Sequence, residues 1–271
     1  MVGGGAYLLG HTDREQRRLA GQAALIGPDT EALFREAGLC PGMSVLDVGS
    51  GLGDVALLAG KLVSPGGRVL GIERSMEGIA IAKQRAGAFP DIDVRFEVAD
   101  LDAYEPQQTF DALVGRFVLA YLKEPSAALR RLAKSVRPGG IVAMVEFDVR
   151  VMCVSPHSPL HQQVIDWIVG AFEGSGVNPS LGSDIAKVFH DAGLPWPSVR
   201  SVQYAAAGPD GPLWYYGDLL RTLMPNVERR GLASTDTVEI ESLADRLSAE
   251  AEAKKTTAFL PRWVCAWARV S

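Results

Sequence analysis

The chain has 271 residues, 47% of them hydrophobic and 22% charged, with 27 Lys and Arg against 32 Asp and Glu for a formal net charge of −5. That apolar content excludes a largely disordered chain, and no run of 18 apolar residues is present to span a bilayer. The acidic balance, with no Lys/Arg block, offers nucleic acid no positive footprint.

Three cysteines, Cys40, Cys153 and Cys265, lie far apart without a CxxC pair. Such a set fits a reducing cytoplasm and argues against a disulfide framework or a structural zinc site. The opening MVGGGAYLLGHTDREQRR lacks the basic start and long apolar core of a secretory signal. Val2 stands where a myristoylation signal needs glycine. A cytoplasmic protein with a small-molecule partner, no nucleic acid and no membrane is the expectation.

Residues 1–40 read as mostly helical, with Leu33, Phe34 and Ala37 at helical spacing after Pro28 and Gly38 as a stop. From Pro41 the pattern alternates. Ser44–Val48 reads as a strand, and a glycine loop follows it. Val55, Leu58, Ala59 and Leu62 then form a helix stripe. Ser64–Gly67 is a turn, Arg68–Ile72 a second strand, and Ser75 the cap of a helix to about Ala86. Val94–Val98 and Phe110–Val114 are further strands, and Leu129, Leu132, Ala133 and Val136 mark the next helix. Arg137–Gly140 reads as a turn before a fifth strand, Ile141–Phe147. Ser158 and Pro159 open a helix through about Phe172. A helix near 183–192, a strand at Val199–Ala205, a charged helical stretch over 208–260 and a last strand, Arg262–Val270, complete the chain. Strands separated by helices predict an open, doubly wound, mostly parallel α/β sheet.

The segment VLDVGSGLGD follows a strand and opens a helix, the place where open α/β sheets bind ligands. A dinucleotide loop has the pattern GxGxxG, but here the glycines are Gly49, Gly51 and Gly53, and Asp54 takes the place of the third glycine. A carboxylate at that helix start repels a pyrophosphate, and Asp47 adds a second negative charge. Glu73 closes the second strand, where an acid accepts both hydroxyls of a ribose. Asp100 ends the third, within reach of an adenine amino group. A ligand with a ribose, a base, positive charge and no phosphates is implied, and S-adenosylmethionine meets that description.

Together, VLDVGSGLGD, VLGIERS, EVADL, FDALVGRFVLAYL and the RPGG before a strand resemble the successive motifs of the class I S-adenosylmethionine-dependent methyltransferases over about residues 41–150. YLLGHTDREQRRL and WARV resemble, less specifically, small-molecule methyltransferases of bacterial biosynthetic pathways. The resemblance implies a Rossmann-like methyltransferase fold with a seven-stranded sheet, its last strand antiparallel and supplied by RWVCAWARV, and helical caps at the N- and C-terminal ends. It assigns Asp47, Gly49, Ser50 and Gly51 to the methionine end of the cofactor. Glu73 takes the ribose, flanked by Arg74 and Ser75, and Asp100 with Leu101 takes the adenine edge. Arg116 lines the other side, and Tyr7 and His11 close over the pocket. The expected organisation is an N-terminal lid (1–40), a cofactor-binding core (41–207), a helical acceptor lid (208–260) and the last strand of the core sheet (261–271).

Methyl transfer from a sulfonium needs alignment and exclusion of water, and a base only when the acceptor loses a proton. Phe117, Tyr121 and Phe147, at the ends of the fourth and fifth strands, are candidate acceptor contacts, as are His161 and Trp214. Glu146 and His157 are candidate catalytic groups. His157 and His161 are four apart, but the helix starts between them, so no shared metal-binding face is expected and no metal is assigned. The acceptor is read as a small metabolite, with a lean toward the hydrophobic or aromatic, and oxygen, nitrogen and carbon nucleophiles all stay open. A non-methylating cofactor-binding protein, a macromolecular methyltransferase and, more remotely, an NAD-dependent dehydrogenase are the alternatives. The oligomeric state is left open, a homodimer included.

Overall fold

A computed structural model describes residues 13–173, 175–209 and 211–271. In chain order the elements are α1 (Asp13–Ala37), β1 (Ser44–Val48), α2 (Asp54–Val63), β2 (Arg68–Glu73), α3 (Met76–Ala86), β3 (Asp93–Val98), β4 (Phe110–Arg116), a 3-10 turn (Leu119–Tyr121), α4 (Pro125–Ala133) and β5 (Val136–Asp148). There follow β6 (Cys153–Ser155), α5 (Pro159–Phe172), α6 (Leu181–Asp191), β7 (Ser198–Ala207), α7 (Trp214–Arg229), α8 (Thr235–Val238), α9 (Leu243–Lys254) and β8 (Thr257–Arg269). Among the described residues no helix is long and apolar enough to cross a membrane.

The chain forms two compact units. The larger holds residues 23–147, 181–201 and 263–271. In it β1 pairs in parallel with β2 on one side and β4 on the other, β2 with β3, and β4 with β5. The strand order is β3-β2-β1-β4-β5-β8. Gly139 N–H donates to Val270 O (2.8 Å) and Val270 N–H to Gly140 O (2.9 Å). The start of β5 thus faces the end of β8, and the two strands run oppositely. All five residues of β1 are buried, which is why SVLDV has no polar alternation. Right-handed crossovers put α2 and α3 on one face and α4 on the other. The order reverses between β1 and β4, the switch point at which such sheets open a binding crevice.

The smaller unit comprises the described residues up to Gln22 together with 148–180 and 202–262. Here α5 packs on α7, and both contact α9. β6 pairs antiparallel with the start of β8, Cys153 opposite Phe259 and Ser155 opposite Thr257. The Tyr216 hydroxyl donates to Phe259 O (2.7 Å).

The α/β architecture expected from the sequence is found, with five differences of detail; Val136, expected on the helix stripe of α4, instead opens β5. α1 runs through Pro28 as one helix, because Ile26, Leu33, Phe34 and Ala37 keep a buried stripe on both sides of the proline. The RPGG segment lies inside β5. Gly139, at φ 73°, absorbs a shift in the β4–β5 register, so a conformation suited to a turn becomes a bulge once Val270 takes the adjacent backbone groups. β6 makes the sheet eight-stranded; at three residues, only one of them less than fully exposed, it carries no apolar signature. β8 begins at Thr257, five residues before the expected start.

Leu46 is fully buried at the centre of β1. Leu46→Ala is expected to lower unfolding stability by about 2–5 kcal/mol, measured by chemical denaturation; a loss well under this range would mean that the β1 core can collapse around the gap.

Candidate functional site

β1 delivers its carboxyl end into the glycine loop. Gly49 sits at φ 65°, and a Cβ there would stand 2.4 Å from Val118 Cγ2. Both the backbone angle and the contact demand glycine. Ser50 N–H bonds Ile72 O at 2.9 Å, and Gly53 N–H closes the turn on Ser50 O at 2.8 Å. The Glu73 carboxylate spans two loops. Its Oε2 accepts Gly51 N–H (3.2 Å) and its Oε1 accepts Ser75 N–H (2.9 Å). The Ser75 hydroxyl caps α3 by accepting Gly78 N–H at 3.1 Å, as its position in the sequence predicts.

Asp47 is 1% exposed. Neither of its carboxyl oxygens, nor the Ser50 hydroxyl, meets a hydrogen-bond partner among the described residues. Burial pushes the Asp47 carboxyl well above its usual range, with the charge of Arg116 opposing. Arg116 ends β4 and donates from Nη1 to the Thr30 hydroxyl at 3.2 Å; burial lowers its pKa against the pull of Asp54 and Asp47. A buried carboxyl is normally paired, so Asp47 and Ser50 are suited to a ligand that brings a cation and hydrogen-bond donors. Among the described residues no side chain stands within 4 Å of a Cβ built on Gly51, which leaves room for that ligand beside the backbone. The chemistry of these residues fits S-adenosylmethionine, which brings both an ammonium and a ribose.

Leu101 is buried, with Cδ1 3.9 Å from a Cβ built on Gly49, so the segment after β3 meets the glycine loop. Asp100 is exposed and accepts Asp102 N–H at 3.0 Å. Arg74 is exposed beside Glu73. Asp54 pairs with Arg85 at 2.6 Å, and Arg85 also donates to Leu52 O at 2.6 Å. The acid that displaces a third glycine therefore ties α2 to α3.

On the acceptor side, Phe117 (φ 57°), Tyr121 and Phe147 form one cluster. Phe117 and Tyr121 stand edge-on to Phe147 with ring centroids 5.5 and 6.2 Å away. Glu146 is fully buried, and its Oε1 accepts Val118 N–H (3.0 Å) and Leu119 N–H (2.7 Å). Burial lifts its pKa to about 8 against those amides.

His157, His161 and Trp214 belong to the smaller unit. His157 is exposed ahead of α5. His161 is fully buried, its Nδ1 2.9 Å from the Ser158 hydroxyl and 3.6 Å from Glu250. The Ser158 hydroxyl makes no backbone cap for α5, because it serves this histidine. Burial lowers the His161 pKa, with Glu250 opposing. Trp214 starts α7 and lies 5.9 Å from the Tyr215 ring. Tyr7 and His11 lie outside the described residues. Val118, Thr30 and Arg85 carry no motif in the sequence; only the fold brings Val118 and Arg85 to the loop and Thr30 to Arg116.

The profile of the methyltransferase domain matches residues 39–174, half of the chain. The chain belongs to that family, and its fold is that of the class I S-adenosylmethionine-dependent methyltransferases. It is 34% identical over 122 residues to phosphoethanolamine N-methyltransferase 3 of Arabidopsis thaliana, covering 45% of this chain and 23% of that protein. It is 31% identical over 125 residues to the 2-phytyl-1,4-naphtoquinone methyltransferase of Synechococcus elongatus, covering 45% and 51%. The chain thus spans about half or less of these curated relatives. A putative methyltransferase from Bacillus halodurans shares the fold, with a TM-score of 0.60 at 15% identity over 89% of this chain and 98% of that one.

A carboxyl whose folded pKa is raised holds its proton more tightly in the native state. Stability conferred on the protonated form is therefore lost as pH rises above the unfolded value of about 3.9. Asp47→Asn removes that penalty. Its melting temperature is expected to exceed that of the ligand-free wild type at pH 7, by a margin that shrinks toward pH 4. An unchanged or lower midpoint at pH 7 would contradict the burial of an unpaired carboxyl.

Proposed function

We propose that the protein transfers a methyl group from S-adenosylmethionine to an oxygen, nitrogen or carbon nucleophile of a small metabolite, hydrophobic or aromatic in character. The observation that carries this reading is the pair of acids at the switch point: Asp47, buried with no hydrogen-bond partner among the described residues, and Glu73, bonded to the backbone of two loops.

The cofactor supplies a methyl group already activated on a positively charged sulfur. Asp47 accepts hydrogen bonds from the methionine ammonium, and the Ser50 hydroxyl and the loop amides orient the carboxylate end. Glu73, held from behind by Gly51 and Ser75, keeps lone pairs for the two ribose hydroxyls. Asp100 and Leu101 take the adenine, and Arg74 and Arg116 flank the site. Phe117, Tyr121 and Phe147 offer an apolar wall that aligns a planar acceptor and excludes water. Where the acceptor must lose a proton, the exposed His157 is the candidate to accept it. In this reading 1–40 and 208–260, the latter with Trp214, are the lid segments and 41–207 with 261–271 is the core; His161 is buried against Ser158 and Glu250 within the smaller unit. The two relatives carry names of opposite acceptor character, a phosphorylated amine and a prenylated quinone; the aromatic cluster favours the second kind.

Thermal unfolding with S-adenosylhomocysteine, and with NAD in parallel, tests the cofactor. Ligand at 100 times its dissociation constant adds about 2.7 kcal/mol, a midpoint rise of roughly 5–10 °C for a chain of this size. The rise is expected with the adenosyl ligand alone and is expected to vanish in Glu73→Ala. A rise with NAD instead would sink the proposal. Radiolabelled methyl transfer to naphthols and quinols is expected to exceed transfer to phosphoethanolamine or to peptides; the reverse order would overturn the acceptor class.

A further inference from the structure

The carboxyl of Glu146 is one residue from the aromatic cluster and fully buried, yet it is turned to the backbone. Its Oε1 takes two consecutive amides, Val118 at 3.0 Å and Leu119 at 2.7 Å. These amides lie where β4 has ended and the 3-10 turn begins, so no ladder or turn carbonyl is in place for them. An amide buried without an acceptor costs free energy comparable to a lost hydrogen bond.

Both neighbours of this latch belong to the site. On one side is Phe117, at φ 57°, a left-handed conformation that a bulky side chain adopts only when its surroundings impose it. Its N–H is fixed to Val145 O at 2.8 Å, and its ring meets Phe147. On the other side is Val118 itself. Its Cγ2 fills the space where a Cβ on Gly49 would stand, at 2.4 Å. The residue whose amide Glu146 holds is therefore the surface on which the glycine loop rests.

We propose that Glu146 is a positioning residue: by holding the Val118 and Leu119 amides it seats Val118 against Gly49 and keeps Phe117 in the aromatic cluster, so that cofactor loop and acceptor wall share one support. This inference rests on the methyltransferase reading of the site. It gives Glu146 a role apart from proton transfer to the acceptor. With its pKa near 8, the group is mostly protonated at neutral pH, and glutamine is a close replacement in shape, charge and accepting oxygen. Aspartate keeps the carboxyl but is one methylene too short to reach both amides.

The test compares wild type, Glu146→Asp, Glu146→Gln and Val118→Ala by calorimetric titration with S-adenosylhomocysteine and by amide hydrogen exchange at residues 117–120. Glu146→Asp is expected to weaken binding about tenfold or more and to speed exchange at Val118 and Leu119, while Glu146→Gln restores binding to within about threefold of wild type. Val118→Ala is expected to weaken binding while those amides stay protected, and it keeps the test open if Glu146→Asp does not fold. The proposal is overturned if Glu146→Asp binds as wild type does, if Glu146→Gln binds as poorly as Glu146→Asp, or if Val118→Ala leaves affinity unchanged. Failure of the wild type to bind the ligand would count against the cofactor reading, whereas exchange at Val118 and Leu119 in the Glu146 variants still decides whether the latch exists.

Discussion

Asp47, one residue before the end of the central strand, carries a carboxyl that is buried with no hydrogen-bond partner among the described residues. Folding gains nothing from this; desolvating a carboxylate is costly, and the group answers by holding its proton more tightly. The surrounding structure makes such a group tolerable and accessible to a ligand. Gly49 brings the backbone against Val118, Glu73 pins the loop through Gly51, and Arg116 places a positive charge opposite. A cation delivered to this site satisfies what the chain leaves unsatisfied, which is the physical content of its fit to an ammonium-bearing cofactor.

The two ends of the same sheet handle acids in contrasting ways. At the start of β1, Asp111 accepts the Ser44 amide at 2.7 Å, the Ser44 hydroxyl at 2.9 Å and Arg137 at 2.6 Å. Although its burial works the other way, these partners hold its pKa below the usual range. Its role is to join β1, β4 and β5, and nothing is left over for a ligand. At the carboxyl ends of the strands, Asp47 has no such partners, Glu73 spends one interaction per oxygen on backbone, and Glu146 keeps Oε2 without a partner among the described residues. Asp111, with three partners, serves the sheet, whereas the acids at the site leave more of their accepting capacity open.

Within the smaller unit the buried polar residues form a separate system. Ser158 bonds His161 at 2.9 Å, His161 Nδ1 lies 3.6 Å from Glu250, and Glu250 accepts Leu160 N–H at 3.1 Å. Two elements far apart in sequence, the start of α5 and the body of α9, are joined by it. A buried imidazole whose Nδ1 meets a hydroxyl and a carboxylate specifies how these helices meet more sharply than apolar packing does.

The amino-acid sequence by itself determined whatever depends on short-range chemistry. Alternating apolar runs and breakers set most strands and helices to within a few residues, Ser75 reads as a cap, and the glycine spacing with Asp47, Glu73 and Asp54 argues against a pyrophosphate and for a ribose. Other features were settled only by tertiary structure, because they depend on contacts between segments far apart in the chain. RPGG looks like a turn until Val270 bonds it into β5. Asp54 looks like a helix-start acid until Arg85, 31 residues on, pairs with it. Glu146 looks like a base at a strand end until the amides of Val118 and Leu119, 28 and 27 residues earlier, occupy it. A carboxylate is the same group in all these settings, and the partner that decides its role is brought to it by the fold.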